Sequence, residues 1–312
     1  MNVTQARLVL IVSGLNEISR QFHDFPAQPV GVIVVSNRSS KPGRLFGWAD
    51  ACEVYCRRHG LNYASVSAAN LDTIGDQLRE WDADLVITHS VPVLPMAVLE
   101  TVAYGGINLH HSLLPAYRGG NPLLWQVIDG VEQIGLSVHR LSAEADAGDV
   151  FKQTTFTRPE GVSKRALASM ANSQYGLELL KSVVSDYVED RLQALPQPQM
   201  SPTDSANHFS LQHLLDVLSQ RQVSLTGLWD IAQLFGHWPQ QSLPTHGWQA
   251  WFRWLPGSIQ RQCQVSHQGS VGAAYRFDSV GIHLHLRHRD GCIVFSPKVH
   301  IPTLLARLLV RR

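Results

Sequence analysis

Short apolar runs alternate with longer, more polar stretches through the first 110 residues of this chain. The runs are rich in valine and isoleucine and have the length of buried strands. They occupy residues 7–13, 29–36, 61–66, 83–88 and 107–110, and the stretches between them predict helical segments at 16–23, 46–59, 71–81 and 92–104. Strands that alternate with helices in this way tend to pair in parallel, because each crossover returns the chain to the same edge of the sheet. The pattern therefore predicts an α/β domain.

This domain is predicted to continue to residue 194. A short helix is expected at 122–128, two strands at 134–141 and 150–157, and a long helix at 163–187 with Ser163 as its N-cap. The whole order of elements predicts a mostly parallel, Rossmann-like sheet with helices on both faces.

A change of composition marks the end of this domain. Residues 195–202 read Leu-Pro-Gln-Pro-Gln-Met-Ser-Pro, and three prolines in eight residues exclude regular structure and predict a linker. Beyond it, residues 203–312 are expected to form a smaller α+β domain rich in strands. Helices are predicted there at 209–220 and 226–236, followed by a hairpin at 282–295 that turns at Asp290 and Gly291.

Composition excludes several classes of protein. Of the 312 residues, 44% are apolar and 16% are charged, and no apolar run is long enough to cross a membrane. Four scattered cysteines do not suggest a disulfide framework or a metal site. The first residues lead directly into a strand without the pattern of a secretory leader. We therefore expect a cytoplasmic protein that needs no metal.

The chemistry-bearing residues cluster where the strand at 107–110 ends. Asn108 and His110 are two positions apart, so their side chains point the same way. An amide can donate a hydrogen bond to an oxyanion, an imidazole can carry a proton near neutral pH, and Asp146 on a later segment can orient the imidazole. Taken alone, such residues are more often a turn cap, a packed histidine and a turn aspartate.

Four separated blocks give these residues a context. They are Asn108-Leu-His110, the segment Ser112 to Gly119, the segment Gly135 to His139, and Asp146-Ala-Gly148. Their residues and order resemble the signature of the N10-formyltetrahydrofolate-dependent formyltransferases, and the resemblance covers roughly the first 190 residues. It implies an enzyme that moves a formyl group from N10-formyltetrahydrofolate, its co-substrate, to an amine through a tetrahedral intermediate. It also implies catalytic roles for Asn108, His110 and Asp146.

The resemblance extends to two loops. In the family, the loop that corresponds to residues 87–95 wraps the pterin ring, which implies folate contacts from Ser90, Val91, Pro92 and Leu94, together with Asp146. The loop after His110 implies substrate-loop roles for Ser112, Leu114, Arg118 and Gly119, which either shape the loop or contact the substrate. His139 is either a support for the catalytic residues or a packed core residue.

The amine acceptor is the least constrained part of the interpretation. Residues 45–50, Leu-Phe-Gly-Trp-Ala-Asp, are similar to a segment of sugar N-formyltransferases, which favours an amino sugar attached to a nucleotide. Methionyl-tRNA is disfavoured because the preceding loop offers only Arg38, Lys41 and Arg44, and no dense basic run follows. Another small amine, hydrolysis of the formyl-folate, and an inactive folate-binding protein are the alternatives.

The second domain carries an aromatic stripe of its own. Trp248, Trp251 and Trp254 lie three residues apart, which would align them on one face of a helix. Such a stripe is more often core or a subunit interface than a platform for a nucleotide base, so we expect the domain to serve as a substrate platform or as the contact of a homodimer.

Overall fold

The computed structural model describes residues 5–36, 50–189, 191–203 and 206 in full, and the backbone of four strands between residues 257 and 297. The chain divides into two compact units. The first unit comprises Met1–Gln126, Glu132–Thr157 and Ala168–Asn207; the second comprises Val127–Val131, Arg158–Leu167 and His208–Arg312.

A seven-stranded sheet forms the centre of the first unit. Its strands are β1 (Arg7–Val12), β2 (Gln28–Ser36), β3 (Asn62–Ser67), β4 (Leu85–His89), β5 (Gly106–His110), β6 (Gln133–Arg140) and β7 (Val150–Thr157), in the order β3-β2-β1-β4-β5-β6-β7. The first five strands pair in parallel, and β6 and β7 continue the sheet antiparallel. The predicted Rossmann-like class is confirmed. The strand order reverses between β1 and β4, and ligands of such sheets bind beyond the carboxyl ends of the strands at this point.

The helices differ from the predictions in places. They are α1 (Ala51–Arg58), α2 (Ile74–Glu80), α3 (Met96–Leu99), α4 (Pro122–Ile128), α5 (Lys164–Met170) and α6 (Leu177–Val188), with 3-10 turns at Ser19–Asp24 and Leu71–Thr73. The helix predicted over 92–104 is wrong in length, because prolines at 92 and 95 lack the N–H that a helix interior needs. The long helix predicted at 163–187 contains a π-helical segment, Ala171–Gly176, between α5 and α6.

The core of the first unit lies on the strands. The apolar runs form the centre of the sheet because their side chains are removed from water. Fully buried examples are Leu8, Leu10, Ile33, Ile87 and Ile107. Burial of one such side chain contributes about 2 kcal/mol relative to an exposed one. This packing fixes the strand ends that carry the site.

The second unit contains a four-stranded antiparallel sheet. Its strands are β8 (Gly257–Cys263), β9 (Tyr275–Val280), β10 (His283–His288) and β11 (Gly291–Pro297), in the order β8-β11-β10-β9. The predicted hairpin is confirmed by the pairing of β10 with β11. The helices predicted at 209–220 and 226–236, the tryptophan stripe and Asp290 lie outside the described residues. The domain limits 1–194, 195–202 and 203–312 stay a prediction. In the described parts of the chain, no helix is both long and apolar enough to span a bilayer.

Candidate active site

Asn108 and His110 lie on β5 at the carboxyl edge of the sheet. Parallel pairing with β4 places Thr88 beside Asn108 on one side. Antiparallel pairing with β6 places His139 beside it on the other. Asn108 therefore has one polar neighbour on each adjacent strand, Thr88 on β4 and His139 on β6.

Asp146 reaches the same place from the loop after β6. Its backbone has a φ of 55°, in the left-handed region that aspartate and asparagine tolerate better than most residues. Two positions later, a β-carbon on Gly148 would lie 2.0 Å from the carbonyl oxygen of Arg140, so only glycine allows this close approach. The glycine lets the loop fold back over the end of β6.

The structure brings the three predicted catalytic residues into one cluster. Oδ1 of Asp146 lies 3.4 Å from Nδ1 of His110 and 3.6 Å from Nε2 of His139. Nε2 of His139 in turn lies 3.0 Å from Nδ2 of Asn108. The side chains of His110 and Asp146 are 6% and 16% exposed, so the cluster is largely shielded from water yet open at the carboxylate.

Hydrogen bonds around Asn108 fix the orientation of its amide. Nδ1 of His139 lies 2.8 Å from the carbonyl oxygen of Arg140, so it carries a proton and Nε2 is left as an acceptor. Nδ2 of Asn108 donates to this acceptor, and Oδ1 accepts a hydrogen bond from the Thr88 hydroxyl at 2.9 Å. One N–H of the half-buried amide is not used by these bonds. It is the group that can donate to an oxygen of a bound substrate.

His110 and Asp146 share the control of one proton. Nε2 of His110 lies 3.0 Å from the carbonyl oxygen of Tyr117, and Nδ1 faces Asp146, so the two nitrogens both face acceptors. Burial lowers the pKa of His110, although the Asp146 carboxylate and the Tyr117 carbonyl oppose the effect in part. When the neutral imidazole gains a proton at Nδ1, the new N–H can donate to the Asp146 carboxylate.

Asp146 itself is held in the ionised form. Burial would raise the pKa of Asp146, but the His110 side chain and the backbone N–H of Gly119 oppose this effect, and the pKa lies below its usual range. The Gly119 N–H donates to Oδ2 of the carboxylate at 2.9 Å. The carboxylate is therefore charged at neutral pH and points its other oxygen, Oδ1, at His110 and His139.

The substrate-loop residues form a cross-linked turn. The Ser112 hydroxyl donates to the carbonyl oxygen of Ala116 at 2.6 Å, and the carbonyl of Ser112 accepts from the Ser137 hydroxyl at 2.6 Å. The Leu114 N–H donates to the same Ser137 hydroxyl at 3.0 Å. Ser112 and Leu114 are buried, so they shape the loop from below.

Arg118 contacts the linker. Its guanidinium donates four hydrogen bonds to residues 197–199, two of them to Oε1 of Gln197 at 2.8 and 3.2 Å. The sequence left open a direct substrate contact for Arg118. The structure shows these bonds to the linker.

The predicted folate loop follows β4 directly. Ser90 and Pro92 are exposed and Val91 is half-buried, whereas Leu94 is 3% exposed and belongs to the hydrophobic core. Ser90 also has a positive φ of 57°, which turns the chain sharply after the strand. A flat ring bound here would contact Val91, Pro92 and the backbone, while the Leu94 side chain supports the loop from below.

Sequence reasoning did not single out two residues of the site. Thr88 was detectable in principle, since the strands of a predicted parallel sheet all end at the same edge, and β4 pairs with β5 there. No sequence pattern pointed to Gln197, because its partners lie in distant segments of the chain. His139, which the sequence left open, lies inside the cluster.

The described residues contain no group of three or more His, Cys, Asp or Glu side chains placed to hold a metal ion. A cavity of about 710 Å³ lies against the start of β5 and the end of α6, and its lining includes none of the catalytic candidates. Glu100, Glu189 and Arg140 give that cavity charges of both signs.

Comparison with known proteins places this cluster in a family. The sequence profile of the formyl transferase family matches residues 6–170, which is 165 of the 312 residues and includes Asn108, His110 and Asp146. The chain belongs to the formyl transferase family. This confirms the resemblance of the four sequence blocks.

Individual relatives differ in how much of the chain they match. A methionyl-tRNA formyltransferase from Halalkalibacterium halodurans is 32% identical over 133 residues, which are 42% of this chain and 42% of the relative. The match thus spans less than half the length of that relative. An N-formyltransferase structure from Helicobacter canadensis is 14% identical, covers 95% of this chain and 100% of its own, and has a TM-score of 0.55. A sugar 3N-formyl transferase structure is 15% identical over 95% of this chain and 98% of its own, with a TM-score of 0.54. At these identities the two structures show a shared fold.

Proposed function

We propose that this chain transfers a formyl group from N10-formyltetrahydrofolate to a primary amine. The observation that carries the proposal is the cluster itself: one free amide N–H on Asn108 beside a buried imidazole and a carboxylate 3.4 Å apart. Family membership supports the same reaction class. Formyl transfer needs a donor for the oxyanion and a group that manages one proton, and the cluster offers both.

Asn108 and the His110–Asp146 pair have separate roles in this reaction. The amine nitrogen bonds to the formyl carbon, and the unused N–H of Asn108 donates to the oxygen that becomes negatively charged. Such a preorganised donor lowers a barrier by about 3–4 kcal/mol. The His110–Asp146 pair takes up the proton that the amine loses. The proton then passes to N10 of the folate as the bond between the formyl carbon and N10 breaks, so that formylated amine and tetrahydrofolate are the products.

A test of this reaction starts with the folate product. Release of tetrahydrofolate is measured with and without candidate amines, and we expect turnover only when an amine is present. Turnover without an amine would identify a hydrolase. Folate binding without turnover, across all amines tried, would identify a binding protein.

For the acceptor, we propose an amino sugar attached to a nucleotide. The segment 45–50 supports it, although that segment lies outside the described residues apart from Asp50. The Helicobacter canadensis protein was crystallised with folinic acid and dTDP-3-aminofucose, and the sugar 3N-formyl transferase in the presence of dTDP and 5-N-formyl-THF. Each of these alignments covers 95% of this chain.

Methionyl-tRNA is the second candidate acceptor, and the sequence relatives favour it. A direct comparison separates the two. Nucleotide-linked amino sugars and methionyl-tRNA are offered to the same enzyme, and the mass gain of one formyl group is followed on each. We expect the sugar to gain it. Formylation of the tRNA with no formylation of any sugar would contradict the acceptor proposal and leave the reaction class intact.

The Thr88 hydroxyl supplies a sharper test of the Asn108 role. Thr88→Val keeps the shape of a residue that is 1% exposed but removes the hydrogen bond that fixes the Asn108 amide. We expect kcat to fall about tenfold, because the amide can then rotate away from its catalytic orientation. Thr88→Ser, which keeps the hydroxyl, is the matched control and should stay near wild type. Equal activity in the two variants would show that the amide does not depend on Thr88.

A further inference from the structure

The linker lies along both catalytic loops of the first unit. We call residues 195–203 together with Ala206 the strap. The Ser201 hydroxyl donates to the carbonyl of Pro115 at 2.8 Å, and the Thr203 hydroxyl accepts from the Tyr117 N–H at 2.6 Å. Backbone bonds join Ala206 to Arg118 at 2.7 Å and to Asn121 at 2.8 Å. The strap, which the sequence predicts to be only a linker, is therefore hydrogen-bonded to the loop that follows His110.

One strap side chain joins this loop to the second catalytic loop. Nε2 of Gln197 donates to the carbonyl oxygens of Asp146 at 2.9 Å and of Gly148 at 2.5 Å. Oε1 of Gln197 accepts from Nη2 of Arg118 at 2.8 Å and from Nε at 3.2 Å. Both N–H groups and the oxygen of a single amide are thus used to bridge the two loops.

The two bridged segments are the ones that set the Asp146 carboxylate. Gln197 holds the backbone carbonyl of Asp146, whose φ is positive and whose loop has no helix or strand to support it. It also holds Arg118, the residue before Gly119, and the Gly119 N–H is the donor that fixes Oδ2 of Asp146. Gln197 therefore holds both the backbone that carries the carboxylate and the residue next to the N–H donor of Oδ2.

We propose that Gln197 is a positioning residue for the formyl-transfer centre, which sets the distance between the Asp146 carboxylate and His110. This inference rests on the proposed function. Only a glutamine matches the requirement. Glutamate lacks the two N–H donors, asparagine is shorter by one methylene group, and methionine has the length without any hydrogen-bonding amide.

A purely structural strap would give a different result from a positioning residue. Loss of a structural bond lowers the free energy of unfolding and affects activity only through the fraction of folded enzyme. Loss of a positioning contact lowers kcat with little change in KM, since the misplaced group acts in the transition state and not in substrate binding.

The test uses Gln197→Met and Gln197→Glu in the full-length chain, with wild type measured first. For variants that fold like the wild type, we expect kcat to fall at least about tenfold. The KM values for folate and amine should stay within about twofold of the wild-type values. Gln199→Met and Gln199→Glu are the matched controls, because the exposed Gln199 gives Arg118 only its backbone carbonyl. They should retain the wild-type kcat. Melting temperatures establish that all four variants are folded at the assay temperature, and Gln197→Ala replaces either Gln197 variant that is not.

A double-mutant cycle with Asp146→Asn completes the test. If Gln197 acts through Asp146, its substitution in the Asp146→Asn background should change kcat by less than about twofold. Unchanged kcat in the Gln197 variants, equal losses in the Gln199 variants, or full additivity with Asp146→Asn would each overturn the proposal. An inactive wild type would instead count against the proposed function, so the two failures are distinct.

Discussion

Replacing Asp146 with asparagine is expected to lower kcat/KM for formyl transfer at least about 100-fold while the fold is kept. Asparagine tolerates the positive φ of this position and can still accept the Gly119 N–H. The change removes the charge and replaces one acceptor oxygen by an NH2 group. Without the carboxylate 3.4 Å from Nδ1, the buried imidazole of His110 loses the group that stabilises its protonated form. The imidazole then accepts the proton of the amine less readily.

The same argument applies to the other member of the pair. His110→Ala is expected to cause a loss of similar size, since it removes the proton acceptor itself. Because the two residues act as a unit, the double variant should lose little more than either single variant. Multiplied losses in the double variant would mean that the two side chains act in separate steps.

A nearby acid supplies the matched control. Asp149→Asn makes the same chemical change three residues further along the chain, and it should leave kcat/KM near wild type. Steady-state release of tetrahydrofolate measures activity, and circular dichroism melting checks the fold. If Asp146→Asn were as active as Asp149→Asn, Asp146 would have no part in the mechanism.

The sequence predicted the sheet and the catalytic candidates for different reasons. The strands were predictable because buried parallel strands need continuous β-branched runs, and residues 29–36 match β2 almost exactly in length. Asn108 and His110 were predictable as neighbours because a strand repeats every two residues. The approach of Asp146 was predictable only from the order of the four blocks, since nothing local places residue 146 beside residue 110.

What escaped the sequence depends on packing between distant segments. The helix predicted over 92–104 follows its apolar spacing, and Pro95 limits the structure to the single turn Met96–Leu99. The π-helical segment Ala171–Gly176 has no signature in the spacing of apolar residues. The role of the strap was hidden because Gln197 bonds to residues about fifty and eighty positions away. A proline-rich segment indicates only the absence of helix and strand.

The π-helical segment takes part in a second network, in which Asn172 and His89 are buried and His111 is half-buried. We expect this network to make the protein sensitive to acid. Asn172 lies in that segment, and its Oδ1 accepts a hydrogen bond from Nε2 of His111 at 2.8 Å. Nε2 of His89 lies 3.4 Å from the same nitrogen of His111. Nδ1 of His89 lies 3.3 Å from Nδ2 of Asn16, so it accepts. Both imidazoles thus satisfy these partners in the neutral form. A proton added to Nδ1 of His89 would face another donor.

Burial and these contacts set the charge of the pair. Burial, with a smaller contribution from His111, lowers the pKa of His89 to about 3. Burial, together with the neighbouring His110 and against the bond to Asn172, lowers the pKa of His111 to about 4. Both histidines therefore stay neutral in the folded protein well below pH 6.5, whereas in the unfolded chain they take up protons there.

Stability should accordingly fall as the pH falls. A histidine whose folded pKa is depressed costs stability below its unfolded pKa, by up to about 1.4 kcal/mol per pH unit, until the pH reaches its folded pKa. For two such histidines, the free energy of unfolding should be lower at pH 5 than at pH 7.5 by about 4 kcal/mol. A loss of this size is a large fraction of the stability of a typical domain, which is about 5–15 kcal/mol.

Denaturant unfolding of wild type and His111→Gln across pH 5 to 7.5 tests this expectation. Glutamine can still donate a hydrogen bond to Asn172 but does not titrate, so the variant should show about half of the pH dependence that the pair contributes. His59→Gln is the matched control for an exposed histidine. Desolvation and the neighbouring His23 and Arg58 also lower the pKa of His59, so this variant should lose some of the pH dependence, but less than His111→Gln loses. The same slope in His111→Gln as in wild type would mean that the acid sensitivity arises from groups other than His111.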